Sequence, residues 1–138
     1  MILLFELIMG LIILGAIGLF IWTLRSRHTR TLDIGYYKGQ WAKVLKTLST
    51  GEQGWRLAII DADKLLDQAL RQHGAKGETL GDRLRDREKL FSKYNDLWAA
   101  HKLRNKLVHE PQVNLSKAMA GRALQEFQRA LKELGALA

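Results

Sequence analysis

The stretch "HKLRNKLVHEP" (residues 101–111) closes a segment that otherwise reads as helix. It gathers two histidines, an arginine and an asparagine, and nothing else in the chain has comparable chemistry. In the run that contains it, "SKYNDLWAAHKLRNKLVH" (92–109), Tyr94, Leu97, Trp98, Leu103 and Leu107 form one buried stripe. Ser92 is placed to cap its start, and Pro111 ends it soon after His109. This segment is therefore expected to be a core helix carrying Arg104, Asn105, His109 and His101 as candidate site residues.

Further helices read outward from it. On the C-terminal side, Ala120, Ala123, Leu124, Phe127, Ala130, Leu131 and Leu134 repeat with a 3.6-residue period. Asn114 or Ser116 caps that helix and Gly135 ends it. On the N-terminal side, "GETLGDRLRDREKLF" is a short helical run with Thr79 as N-cap. Before it, "GWRLAIIDADKLLDQALRQHG" places Trp55, Ile59, Ala62, Leu66 and Ala69 on one stripe, widened by Ala58, Leu65 and Leu70. Gly74 and Gly77 stop that helix. Earlier still, Trp41, Val44, Leu45 and Leu48 mark a short helix that packs into the bundle or lies on a membrane surface. No alternating run or hairpin signal points to a strand. The expected class is all-α, with four amphipathic helices in an antiparallel bundle over residues 38–138.

The first 24 residues differ. "MILLFELIMGLIILGAIGLFIWTL" is apolar throughout except for Glu6. At ~1.5 Å per residue, such a run crosses a ~30 Å hydrocarbon layer. Its length, the lack of Lys or Arg before it, and the poor cleavage site in "FIWTLRSR" favour an uncleaved transmembrane anchor over a signal peptide. Residues 25–37 read as a basic juxtamembrane linker, in which Arg25, Arg27 and Arg30 place the C-terminal body on the cytoplasmic side.

Composition narrows the function. The absence of cysteine excludes disulfides and thiolate chemistry. No P-loop, zinc cluster, Ser-His-Asp set or dinucleotide loop occurs, so neither cofactor nor metal is expected. Asp61, Asp63 and Asp67 read as a solvated face, because Asp61 is rotated away from the other two. Arg83 and Arg87 belong to a mixed-charge helix exterior that could also face RNA. Trp55 and Trp98 are expected in the core. With +8 overall and Glu6 the sole charge before Arg25, the remainder carries +9. Such a body suits an anionic partner, nucleic acid or an anionic membrane surface.

Arg104 and His109 lie five positions apart, ~140° around an ideal helix, and converge only if His109 sits on a fraying last turn. A guanidinium grips a phosphate, and an imidazole moves protons near neutral pH. The same residues also suit a plain helix C-terminus, where cations meet the negative end of the dipole. His101 shares a face with Arg104 and Asn105; it reads as a solvated histidine or as a binding residue lining the same pocket.

"RNKLVH" on the penultimate element of a helical bundle resembles the HEPN superfamily, whose signature is Arg, a polar residue, a short spacer and His. The resemblance implies a helical bundle that forms a homodimer. In ribonuclease members, two motifs meet across the dimer in one metal-independent endoribonuclease site. Carried over, Arg104 binds phosphate, Asn105 is the polar neighbour and His109 is catalytic. RNA is then the substrate, and an antitoxin or regulatory protein a further partner. Other members of the superfamily are non-catalytic modules, so binding of RNA, a nucleotide or a protein is the alternative. A structural protein holding the anionic leaflet is the third reading.

Overall fold

The computed structural model describes residues 1–26 and 31–138. Six α-helices appear among them: α1 (Ile2–Ser26), α2 (Ile34–Thr47), α3 (Glu52–Gln72), α4 (Leu80–Asp86), α5 (Tyr94–His109) and α6 (Lys117–Glu133). Short 3-10 turns follow α2 and α4, and no strand occurs among the described residues. The expected all-α class is observed.

Within α1, Ile2–Thr23 is long and apolar enough to cross a membrane, and none of it is buried. The Arg25 side chain, Arg27 and Arg30, on which the orientation rests, lie outside the described residues. The stretch read as linker to residue 37 ends earlier, because Asp33 caps α2 by accepting from the Tyr36 N–H at 3.0 Å. Ile34 to Tyr37 are therefore helical.

The remaining helices pack around α3, which meets α2, α4, α5 and α6. Ala58, Ile59, Ala62, Leu65, Leu66, Ala69 and Leu70 are buried as the stripe predicts, while Trp55 is half-buried at the core's edge. Tyr37, Trp41 and Val44 turn inward, so α2 packs into the bundle along one face. Leu45 stays exposed. The α6 stripe is buried from Ala120 to Leu134. Ser116 is the cap that forms, accepting from Met119 N–H at 3.1 Å, and Gly135 closes the helix at φ +78°.

Two close approaches fix the connections. A Cβ on Gly54 would lie 1.9 Å from the Thr47 carbonyl oxygen, so α3 can start against the end of α2 only with glycine there. Gly77, at φ +135°, lets the chain turn beneath α4, where a Cβ would meet Asp82 at 2.4 Å. Thr79 and Asp82 form a reciprocal capping box. Their hydrogen bonds, the side-chain bond from Thr79 first, hold the Asp82 carboxyl below its usual range.

The cap expected at Ser92 is not used. Lys93 occupies the N-cap of α5 without a side-chain bond, and the Ser92 hydroxyl donates to Glu133 on α6 instead. A partner 41 residues away in sequence has displaced a local cap.

Candidate functional site

A cleft of about 680 Å³ opens between α3, α4 and α5. Its floor is polar. Asp63 of α3 is 3 % exposed and receives two side chains from α5. His101 Nδ1 lies 2.8 Å from Asp63 Oδ1, and Arg104 Nε lies 3.2 Å from Oδ2. The Arg104 contact is electrostatic, since its Nε–H is not aligned for a hydrogen bond. Arg104 and Asn105 each stand about one helical turn from His101, so His101 and Arg104 can meet one acceptor on a neighbouring helix while Asn105 reaches both.

Asn105 closes the ring. Its Oδ1 accepts from Arg104 Nη1 at 3.0 Å. Its amide nitrogen therefore faces His101 Nε2 at 3.4 Å. An amide N–H can donate only to an unprotonated ring nitrogen. His101 thus turns Nδ1 toward Asp63 and Nε2 toward Asn105 and the cleft.

Arg83 builds the second wall. It is 4 % exposed, donates from Nε to Asp67 Oδ1 at 2.7 Å, and donates from Nη1 to the Gly77 carbonyl at 2.6 Å. Asp67 also pairs with Arg71 at 2.8 Å. α4 is thereby tied to α3 and to the turn before it. Trp98 lies along the rim, half-buried, with the Arg85 guanidinium 5.0 Å from its ring centroid and His101 5.8 Å away. Gly81 provides room for it, since a Cβ there would stand 3.3 Å from the indole.

Six cationic side chains and three acids line the cleft. Asp63 and Asp67 are matched on its floor and wall. Lys64 and Lys102 form no ion pair among the described residues and, with the rim residue Arg85, which pairs with Asp82 at 3.6 Å outside the lining, leave the opening positively charged. Among the described residues, no three His, Asp or Glu side chains gather in a cation-binding group.

Several sequence expectations are corrected here. Asp63 is buried rather than solvated, although Asp61 is exposed as expected. Its signal is visible in retrospect: Ile59, Asp63, Leu66 and Leu70 continue one stripe, with an acid at a core position. His101 is buried and paired rather than solvated. Arg83 is a buried strut in the wall of the cleft rather than part of a helix exterior. Trp98 lies at the core's margin.

Arg104, Asn105 and His101 are brought together, and His109 is not among them. α5 stays helical through His109, with Glu110 as an extended C-cap. His109 is exposed and does not line the cleft. Comparison with protein-family models, curated proteins and solved structures finds no match to this chain.

Proposed function

We propose that this protein is a membrane-anchored, HEPN-like four-helix module, its body on the cytoplasmic side, that acts on RNA as a homodimer. Residues 38–138 are the working domain, and α1 is the tether. RNA enters the basic cleft, where Lys64, Lys102 and Arg85 draw the phosphate backbone by charge. Arg104 holds the scissile phosphate. His109 of the partner chain moves the proton as the 2′-OH attacks phosphorus, and the 5′-oxygen leaves with a proton. The products are a 2′,3′-cyclic phosphate and a 5′-hydroxyl, and no metal takes part. An antitoxin or regulatory protein is the further partner in this reading.

The observation that carries the reading is the buried Asp63. It takes His101 and Arg104 into one network, with Asn105 bonded to Arg104, at an open basic cleft. A site held this way is preorganised for an anion. The exposed His109 is free to meet a partner chain.

A second reading has its own support. Arg104 is engaged with Asp63 and Asn105 within one chain, which suits a non-catalytic module that binds RNA without cutting it. The full-length chain in detergent micelles with EDTA, incubated with single-stranded and structured RNA, separates the two. Cleaved RNA supports the nuclease, intact bound RNA the binding module, and absence of binding contradicts both.

A further inference from the structure

We propose that the outer face of α2 docks on the anionic leaflet of the membrane that α1 enters. Between Ile34 and Thr47 the helix carries Lys38, Lys43 and Lys46 and no acidic residue. None of the three lysines has an ion-pair partner among the described residues. Tyr37, Trp41 and Val44 occupy the buried side. The free side presents Ile34 and Leu45, which are 43 % and 46 % exposed. Ile34, Lys38, Ala42 and Leu45 follow one another along it at helical spacing. A Cβ on Gly39 would meet nothing within 4 Å, so no described residue covers the face at that point.

The occupant follows from charge and from reach. Among the described residues outside α1, six large hydrophobic residues are exposed; Ile34 and Leu45 are two of them, whereas Tyr36, on the other side of α2, bonds through its hydroxyl to Gln68 of α3. Seven residues separate the end of α1 from the start of α2. Fully extended at ~3.3–3.6 Å per step, they hold the first residue of α2 within roughly 30 Å of the end of α1. At that distance an apolar stripe flanked by lysines matches an anionic lipid interface: the lysine stems lie along apolar surface and the ammonium groups reach phosphates. Docked in this way, the bundle has one orientation on the membrane rather than swinging on its tether. The inference rests on α1 as a membrane span.

The chain has no cysteine, so a single probe can be placed freely. Full-length Ala42→Cys, nitroxide-labelled, is reconstituted in nanodiscs of phosphatidylcholine alone or mixed with phosphatidylglycerol. Gln125→Cys on the exposed side of α6 is the control. The Ala42 label is expected to be shielded from an aqueous relaxation agent only in the anionic discs, with the α6 label open in both. Charge reversal at Lys38, Lys43 and Lys46, with helicity unchanged by circular dichroism, should reopen it. At roughly fivefold per cation near an anionic surface, loss of the three cations alone lowers the partition of the bundle onto the leaflet on the order of a hundredfold, and the three new anions lower it further. An Ala42 label equally open in both lipids overturns docking while leaving the anchor intact. Shielding that is the same in neutral lipid and grows with chains per disc makes a second copy the occupant and also overturns it. A chain that alkali strips from the discs overturns the anchor reading and docking together.

Discussion

Asp63 on α3 and His101 on α5 share a buried hydrogen bond of 2.8 Å across 38 residues of sequence. It is the tightest polar link between the helix that organises the core and the helix that bears the candidate motif. The same carboxylate faces Arg104, so one side chain sets the positions of two site residues.

Asp63→Ala should therefore be costly. It leaves a buried imidazole and a largely buried guanidinium without their acceptor. Breaking a buried pair typically costs ~3–5 kcal/mol, and the partial exposure of Arg104 puts this one near 3 kcal/mol. Urea denaturation of parent and variant reads the loss. Equal midpoints would show that the network does not hold α5 to α3.

Gly54→Ala tests the contact between α2 and α3. Its methyl group would meet the Thr47 carbonyl oxygen at 1.9 Å, a backbone atom that cannot swing aside. Overpacking of this kind costs about 1–3 kcal/mol, and a backbone clash belongs at the top of that range. Gly39→Ala on the same pair of helices has open space and should stabilise α2 slightly. Thermal melts of the two variants should move in opposite directions, and a Gly54→Ala melt at the parent temperature would contradict the packing.

Tyr37 supplies a pH signature. Burial first, and Tyr36 beside it second, push its phenol up to about 12. Its hydroxyl donates to Gln72 at 2.7 Å. A folded pKa above the ordinary 10.0 means that the fold favours the neutral phenol. That contribution is complete below pH 10 and is lost as the pH rises from there through about 12. Tyr37→Phe should lose about 1 kcal/mol at neutral pH with the hydrogen bond, and should flatten the alkaline fall. Absorbance titration of the phenolate checks the midpoint, and ionisation of Tyr37 near 10 would contradict its burial.

Much of the fold could be read from local chemistry. The α6 stripe, the Thr79 cap, the Gly135 stop and the Pro111 break each depend on residues within a turn or two of one another. What escaped reading depended on distant partners. Ser92 is a good N-cap by type, yet its hydroxyl goes to Glu133. Asp63 and Arg83 looked solvated because their charge was weighed alone, whereas each has a complementary group on another helix. The site was half legible: the spacing of His101, Arg104 and Asn105 placed them on one face, but nothing local announced that Asp63 would complete them. The ~140° between Arg104 and His109 is likewise retained, because α5 does not fray before His109.

The measurement to make is RNA cleavage by the full-length chain in EDTA, with His109→Ala and Arg104→Ala beside it and in a mixture. The parent should leave 2′,3′-cyclic phosphate ends. Each variant, folded by circular dichroism, should cut at least about a hundredfold more slowly, the lower range for loss of a proton-transfer group. Mixing the two variants should restore cutting, since one arginine and one histidine then meet across a heterodimer. If the parent leaves RNA intact, or if His109→Ala cuts as fast as the parent, Arg104 and His109 are not a nuclease site.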